Sequence, residues 1–210
     1  MPIDITERDA LLVIDVQNDF CPGGALAVER GDEIVPLINR LMPHFQHIVL
    51  TQDWHPAGHH SFAARHGKEP FSATALAYGE QTLWPDHCVQ GTHGARFHAG
   101  LDIARAHLIL RKGFRPRIDS YSAFQENDRT TRTGLAGYLR ELAVERVFLA
   151  GLAYDYCVRY SAVDARASGF AAVVFADACR AIGLNGSVAA MDAEFAKAGV
   201  VVIDSTEIPA

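Results

Sequence analysis

Long uninterrupted apolar runs are missing from this sequence; no segment approaches the roughly 18 residues of a membrane span. The opening MPIDITERDA is charged from its fourth residue and lacks the apolar stretch of a secretory leader. Cysteine is scarce, and Cys21, Cys88, Cys157 and Cys179 lie far apart with no CxxC pair. That spacing is a poor match to a disulfide framework, so the expectation is a reduced, cytoplasmic protein with thiols free to act. No Lys/Arg run is present and the formal charge is −6, which argues against a nucleic-acid partner. GxGxxG, GxxxxGK[ST], HExxH and GxSxG are absent as well. A Rossmann-like sheet without a phosphate-binding loop argues against a dinucleotide enzyme.

What is present is an ordinary globular balance, 49% hydrophobic and 21% charged over 210 residues, enough for one α/β domain with a real core. No repeat or linker divides the chain, so residues 1–210 read as one domain. Short β-branched runs alternate with stretches of helical spacing. Strands are expected at Leu11–Asp15, His47–Thr51, His107–Leu110, Val147–Ala150, Ala172–Phe175 and Val200–Ile203. Helices are expected at Asp32–Phe45, Leu135–Leu142, Tyr156–Ala167 and Val188–Ala198. Strands apolar on both faces that alternate with helices indicate a three-layer α/β/α fold around a six-stranded, doubly wound parallel sheet. Such sheets place ligands beyond the carboxyl ends of their strands, so polar residues after each apolar run are the suspects. Only Asp53 to Leu101 fits no repeat. It is rich in His, Pro, Gly and aromatics, and a long aperiodic insertion of this kind is usually functional.

Asp15 follows LLVI directly, as a turn-former or as a carboxylate at the sheet's mouth. Lys112 follows HLILR, as a snorkelling surface lysine or as a cation that keeps a neighbour ionised. Cys157 lies in GLAYDYCV after a strand. With Asp155 as N-cap it would sit in a first helical turn, where the helix dipole favours a thiolate. An acid, a lysine and a cysteine at three strand ends suit acyl transfer through a thioester. In the insertion, Asp53, His55, His59, His60, Ser61 and His87 offer the carboxylate and imidazoles of a catalytic metal site. With ten histidines in the chain, spacing alone is weak evidence for it.

The segments LLVIDVQNDFCPGGALAV, TQDWHP, HHSFA, WPDHCVQGT, KGFRPRIDSYSAF, GLAYDYCV and FADACR together resemble the isochorismatase-like hydrolases, and within them the nicotinamidase branch. The resemblance runs in order over nearly the whole chain. It implies the same six-stranded fold, and an amidohydrolase that converts nicotinamide to nicotinate and ammonia through a cysteine thioester and also deamidates pyrazinamide. It implies Asp15, Lys112 and Cys157 as the catalytic triad, with an oxyanion hole on the N–H groups of Ala153 and Cys157 and a cis peptide between Leu152 and Ala153. Asp53, His55 and His87 become ligands of one divalent metal, Zn²⁺ first and Mn²⁺ or Fe²⁺ as alternatives. A fourth contact falls on Ser61, His60 or His59. Phe20, Leu26, Trp84 and Tyr121 become pocket walls. An amidase for carbamoyl or ureido substrates and a non-catalytic binding relative are the alternatives. A homo-oligomer is left open, and NAD salvage is the pathway implied.

Overall fold

The computed structural model describes residues 3–209. Strand β1 (Asp9–Ile14) is buried along its whole length. It is followed by helix α1 (Val35–Leu41) and strand β2 (His47–Asp53). The insertion then contributes a single-turn helix α2 (Ala63–His66) and two short strands, β3 (Ala73–Leu76) and β4 (Gly79–Thr82). Strand β5 (Leu108–Lys112), helix α3 (Leu135–Glu141) and strand β6 (Arg146–Leu152) come next. Helix α4 (Arg159–Ala167), strand β7 (Ala171–Arg180), helix α5 (Ser187–Ala198) and strand β8 (Val201–Ile203) complete the order.

The main sheet has six strands in the order β5-β2-β1-β6-β7-β8, and every pairing is parallel. Alternate residues of β1 serve opposite faces. Leu11 and Val13 join a core with Ile34, Ile38 and Phe175, whereas Ala10, Leu12 and Ile14 join one with Leu139, Ala162 and Val174. Two-sided burial of this kind requires helices on both faces, which makes the three layers. The chain steps outward from β1 to β2 and β5, then returns to β6 and steps the other way. The switch point lies between β1 and β6, where an open α/β sheet leaves a crevice.

Several boundaries differ from those expected, each for a local reason. The helix expected over Asp32–Phe45 is three pieces, with tight turns at Gly31–Ile34 and Met42–His44 flanking α1. Pro36 and Pro43 lack the N–H that a continuous helix would need there. Strand β7 extends to Arg180 rather than ending at Phe175, and after a bulge of its own between Val174 and Cys179 its end pairs with Gly151 and Leu152. The insertion, read as aperiodic, holds the β3–β4 hairpin, whose four-residue strands are too short to leave a pattern. The peptide between Leu152 and Ala153 is cis, as the resemblance implies. Among the described residues no helix is long and apolar enough to cross a membrane.

Gly151 sets how closely β6 approaches β1 at the switch point. Its φ is +127°, and a Cβ added there would lie 2.1 Å from the carbonyl oxygen of Ile14. Gly151→Ala is therefore expected to cost about 3 kcal/mol or more, read as a lowered urea midpoint with unchanged m-value.

Candidate active site

Four strand ends converge on the crevice. Asp15 follows β1, Asp53 ends β2, Lys112 ends β5, and Cys157 lies in the turn after β6. The backbone at Asp15 is left-handed, with φ +48°, and its N–H is taken by the Thr51 hydroxyl at 3.1 Å. Thr51 in turn donates its own proton to Asp15 Oδ1 at 2.6 Å. Asp15 is a strand-end carboxylate fully removed from water, not an exposed turn-former.

Lys112 is 1% exposed, which rules out the snorkelling reading. Its Nζ lies 2.8 Å from Asp15 Oδ2, 2.5 Å from Asp53 Oδ1, 2.8 Å from the Ser120 carbonyl and 3.5 Å from Cys157 Sγ. A carboxylate oxygen of Asp15, one of Asp53 and the thiol sulfur all lie within 4.8 Å of one another. Burial opposes the Lys112 charge, but Asp15 and Asp53 outweigh it and hold the ammonium well above its usual range. The two acids part company. Burial raises Asp15, and the Lys112 attraction does not undo this because Asp53 adds its own repulsion. Burial acts on Asp53 too, yet Lys112 and then His55 keep it well below the usual carboxylate range. Two carboxylates pushed apart in this way take different roles, one a fixed anion and the other a proton carrier.

The expectation for Cys157 needs correcting on two points. Asp155 is not an N-cap here: the turn Tyr154–Val158 is π-type, entered from Ala153 without a side-chain cap. The Asp155 carboxylate instead accepts from the Ile182 and Gly183 N–H groups and the Ser187 hydroxyl. Nor is the resting thiol favoured as a thiolate. Burial pushes it well above its normal range despite the nearby Lys112. A neutral thiol needs a base, and Asp15 is the group placed to be one.

Asp53, His55 and His87 form a second convergent set, all nearly inaccessible. His55 Nδ1 is fixed on the Gly113 carbonyl at 2.9 Å, and His87 Nδ1 on the Pro85 carbonyl at 2.8 Å. Carbonyls only accept, so Nδ1 carries a proton on both rings, and in the neutral form that a metal requires both Nε2 atoms would turn lone pairs inward, 3.5 and 3.8 Å from Asp53 Oδ2. His55 Nε2 is buried with no hydrogen-bond partner in the protein. An orphaned imidazole nitrogen facing a second one and a carboxylate is the donor set a divalent metal fits. Of the candidates for a fourth contact, His59 is committed elsewhere. Its Nε2 faces the carbonyls of Arg115 and Ile118, so Nδ1 accepts from the N–H and hydroxyl of Ser61. That leaves the buried Ser61 Oγ with free lone pairs. His60 lies outside the convergent set, its ring 6.3 Å from that of His66.

Between the two sets opens a narrow cleft. Phe20, Leu26, Trp84 and Tyr121 line it with Ala153 and Cys157, together with Asp119, Tyr156 and Ile182, which the sequence reading missed. Trp84 meets Tyr156 edge-on at 4.9 Å and donates its indole N–H to the Tyr121 hydroxyl at 3.1 Å. Gln81 of the hairpin donates to the same hydroxyl and to Asp119. A narrow, aromatic-walled cleft with a few polar groups takes a small flat molecule. Two further supports went unread in the first motif. The Gln17 amide clasps the Asp53 backbone through both its atoms, and Asp19 Oδ2 takes the Cys88 N–H beside His87. Nothing short of the tertiary pairing signals those roles. A larger cavity at Arg129, Arg132 and Arg140 holds none of this chemistry.

The chain matches the isochorismatase domain over residues 9–207. It is 53% identical to a nicotinamidase of Acinetobacter baylyi over 200 residues, 95% of this chain and 94% of that one. The solved nicotinamidase/pyrazinamidase of Acinetobacter baumanii superimposes with a TM-score of 0.95 at 53% identity, covering 96% of this chain and 98% of its own. A pyrazinamidase of Pyrococcus horikoshii, solved in complex with zinc, gives 0.75 at 35% identity over 94% and 99%. With the domain matched over almost its full length, the chain belongs to the isochorismatase-domain family.

Proposed function

We propose that this protein is a nicotinamidase: an amidohydrolase that converts nicotinamide and water to nicotinate and ammonia and also accepts pyrazinamide. The observation that carries the reading is the single ammonium of Lys112 in reach of Asp15, Asp53 and Cys157 at once. The likeness to the two Acinetobacter amidases supports the substrate class.

Asp15 takes the proton from the neutral Cys157 thiol, and Lys112 stabilises the pair while charge moves between them. The thiolate sulfur adds to the carboxamide carbon. The N–H groups of Ala153 and Cys157 receive the developing oxyanion, an effect worth about 3 kcal/mol per donor in comparable sites. The protonated Asp15 delivers its proton to the departing nitrogen, ammonia leaves, and a thioester remains. Asp15 then draws a proton from water as the hydroxide oxygen attacks the thioester. The carbon–sulfur bond breaks, the proton returns to sulfur, and nicotinate is released. Phe20, Leu26, Trp84 and Tyr121 hold the aromatic ring between them. Asp53, His55 and His87, with Ser61 as a fourth contact, are the residues that would hold a divalent metal, which when bound supplies a Lewis-acidic anchor for the ring nitrogen. Zinc suits that donor set and is the ion named in the Pyrococcus horikoshii structure; Mn²⁺ and Fe²⁺ are the alternatives.

Ammonia release from nicotinamide, before and after chelation and with metal restored, tests the reading. Release that falls on chelation and recovers with metal supports it; no release with metal present moves the substrate to the carbamoyl or ureido amides. Cys157→Ala is expected to lower kcat by more than about a thousandfold with metal content unchanged by elemental analysis. Retained turnover would rule out the thioester. Gly113→Ala tests the metal set separately, because a Cβ there would lie 2.5 Å from His55 Cε1 on a backbone with φ +66°. Metal affinity should fall about 10- to 100-fold, measured by competition with a chelating dye.

A further inference from the structure

Asp155 takes no part in the proton transfers, yet it is fully buried two residues before the nucleophile. Its Oδ1 accepts the N–H of Ile182 at 2.9 Å, and its Oδ2 accepts the N–H of Gly183 at 2.8 Å. The hydroxyl of Ser187, the first residue of α5, donates to Oδ2 as well. The segment so held follows an irregular path after β7, with left-handed backbone at Gly183, Asn185 and Gly186. It belongs to no strand ladder that would fix its position. Its residue Ile182 lines the cleft beside Cys157. A carboxylate that accepts from backbone N–H groups through both its oxygens holds them firmly, so this clamp joins two segments 27 residues apart into one wall.

We infer that Asp155 is a positioning residue: it holds the Ile182 wall against the nucleophile turn and thereby sets how tightly the substrate ring is gripped and how openly Cys157 is reached from the cleft, not how fast bound substrate is turned over. The inference rests on the nicotinamide reading for its kinetic test alone. The Ile182 and Gly183 N–H groups face different oxygens of Asp155, so in asparagine the NH₂ group would replace the acceptor opposite one of them. One buried N–H is left unpaired and the segment moves away.

The test is a double-mutant cycle of Asp155→Asn and Ile182→Ala, read on nicotinamide kinetics. Each single variant should raise KM about tenfold, the scale of a lost apolar contact in a pocket, with kcat held within about threefold. Because the two act through one wall, the double variant should be no worse than the poorer single. Multiplied KM effects, or a fall in kcat at unchanged KM, would overturn the assignment. If Asp155→Asn does not fold, Ser187→Ala removes one bond of the three. It should raise KM about two- to threefold and add nothing to Ile182→Ala; an unchanged KM or a multiplied effect overturns the assignment equally. The same cycle read on N-ethylmaleimide alkylation of Cys157, followed by peptide mass spectrometry, needs no substrate. Rates should rise in each single variant and no further in the double, and an unchanged rate in either single variant would refute the clamp. Failure of the unaltered enzyme to release ammonia would refute the nicotinamide reading while leaving this second cycle decisive for Asp155.

Discussion

One ammonium buried among two carboxylates and a thiol is the constraint on which the rest of this structure depends. Lys112 is withdrawn from water at the end of an edge strand, a costly arrangement unless close anions compensate it. Asp15 and Asp53 do so, and they come from the two strands that lie beyond β5 in the sheet. The register of β2 on β5 pairs Asp53 with Lys112, and that of β1 on β2 pairs Val13 with Leu50. A slip of one residue would turn these polar groups to the opposite face and leave charges buried without partners. Sheet register and active-site electrostatics are therefore the same constraint.

The arrangement also explains why two acids are needed. A lone carboxylate beside Lys112 would stay ionised and make a poor proton acceptor for a buried, neutral thiol. Asp53 takes up the cation's attraction and, with His55 and His87, stays anionic. Its negative charge then helps to hold Asp15 above its usual range, where receiving and returning a proton costs least. The proposed metal ligands and the proposed catalytic groups thus meet in a single side chain, Asp53, whose two oxygens face Lys112 on one side and the imidazoles on the other.

Strain and support are placed accordingly. Asp15 and Cys88 adopt left-handed backbones without being glycine, one next to the thiol and the other next to His87. Each is held by neighbours: Thr51 binds Asp15 from both its backbone and its carboxylate, and Asp19 accepts the Cys88 N–H. Residues held in unfavourable conformations by a rigid surround are a device for pre-organisation. Here the surround is the buried sheet itself.

Much of this was legible in the order of residues. Apolar runs at β1, β2, β6 and β7 carried the centre of the sheet, because strands buried on both faces must be apolar throughout, while β5 and β8 are edge strands with exposed residues. The position of Asp15, Asp53, Lys112 and Cys157 at the ends of those runs followed from the same pattern, since parallel strands open their carboxyl ends on one edge. Which bonds those residues make did not follow. Asp155 looked like a cap from its distance to Cys157, and Lys112, taken alone, looked more like a surface side chain. Asp119, Tyr156 and Ile182 carried no pattern that set them apart, because their neighbours in the cleft come from remote segments. Local sequence determines which residues reach the edge of the sheet. The upward shifts of Asp15 and Cys157 and the unpartnered Nε2 of His55 were decided by burial and by groups brought from elsewhere in the chain, and only the tertiary structure supplies those.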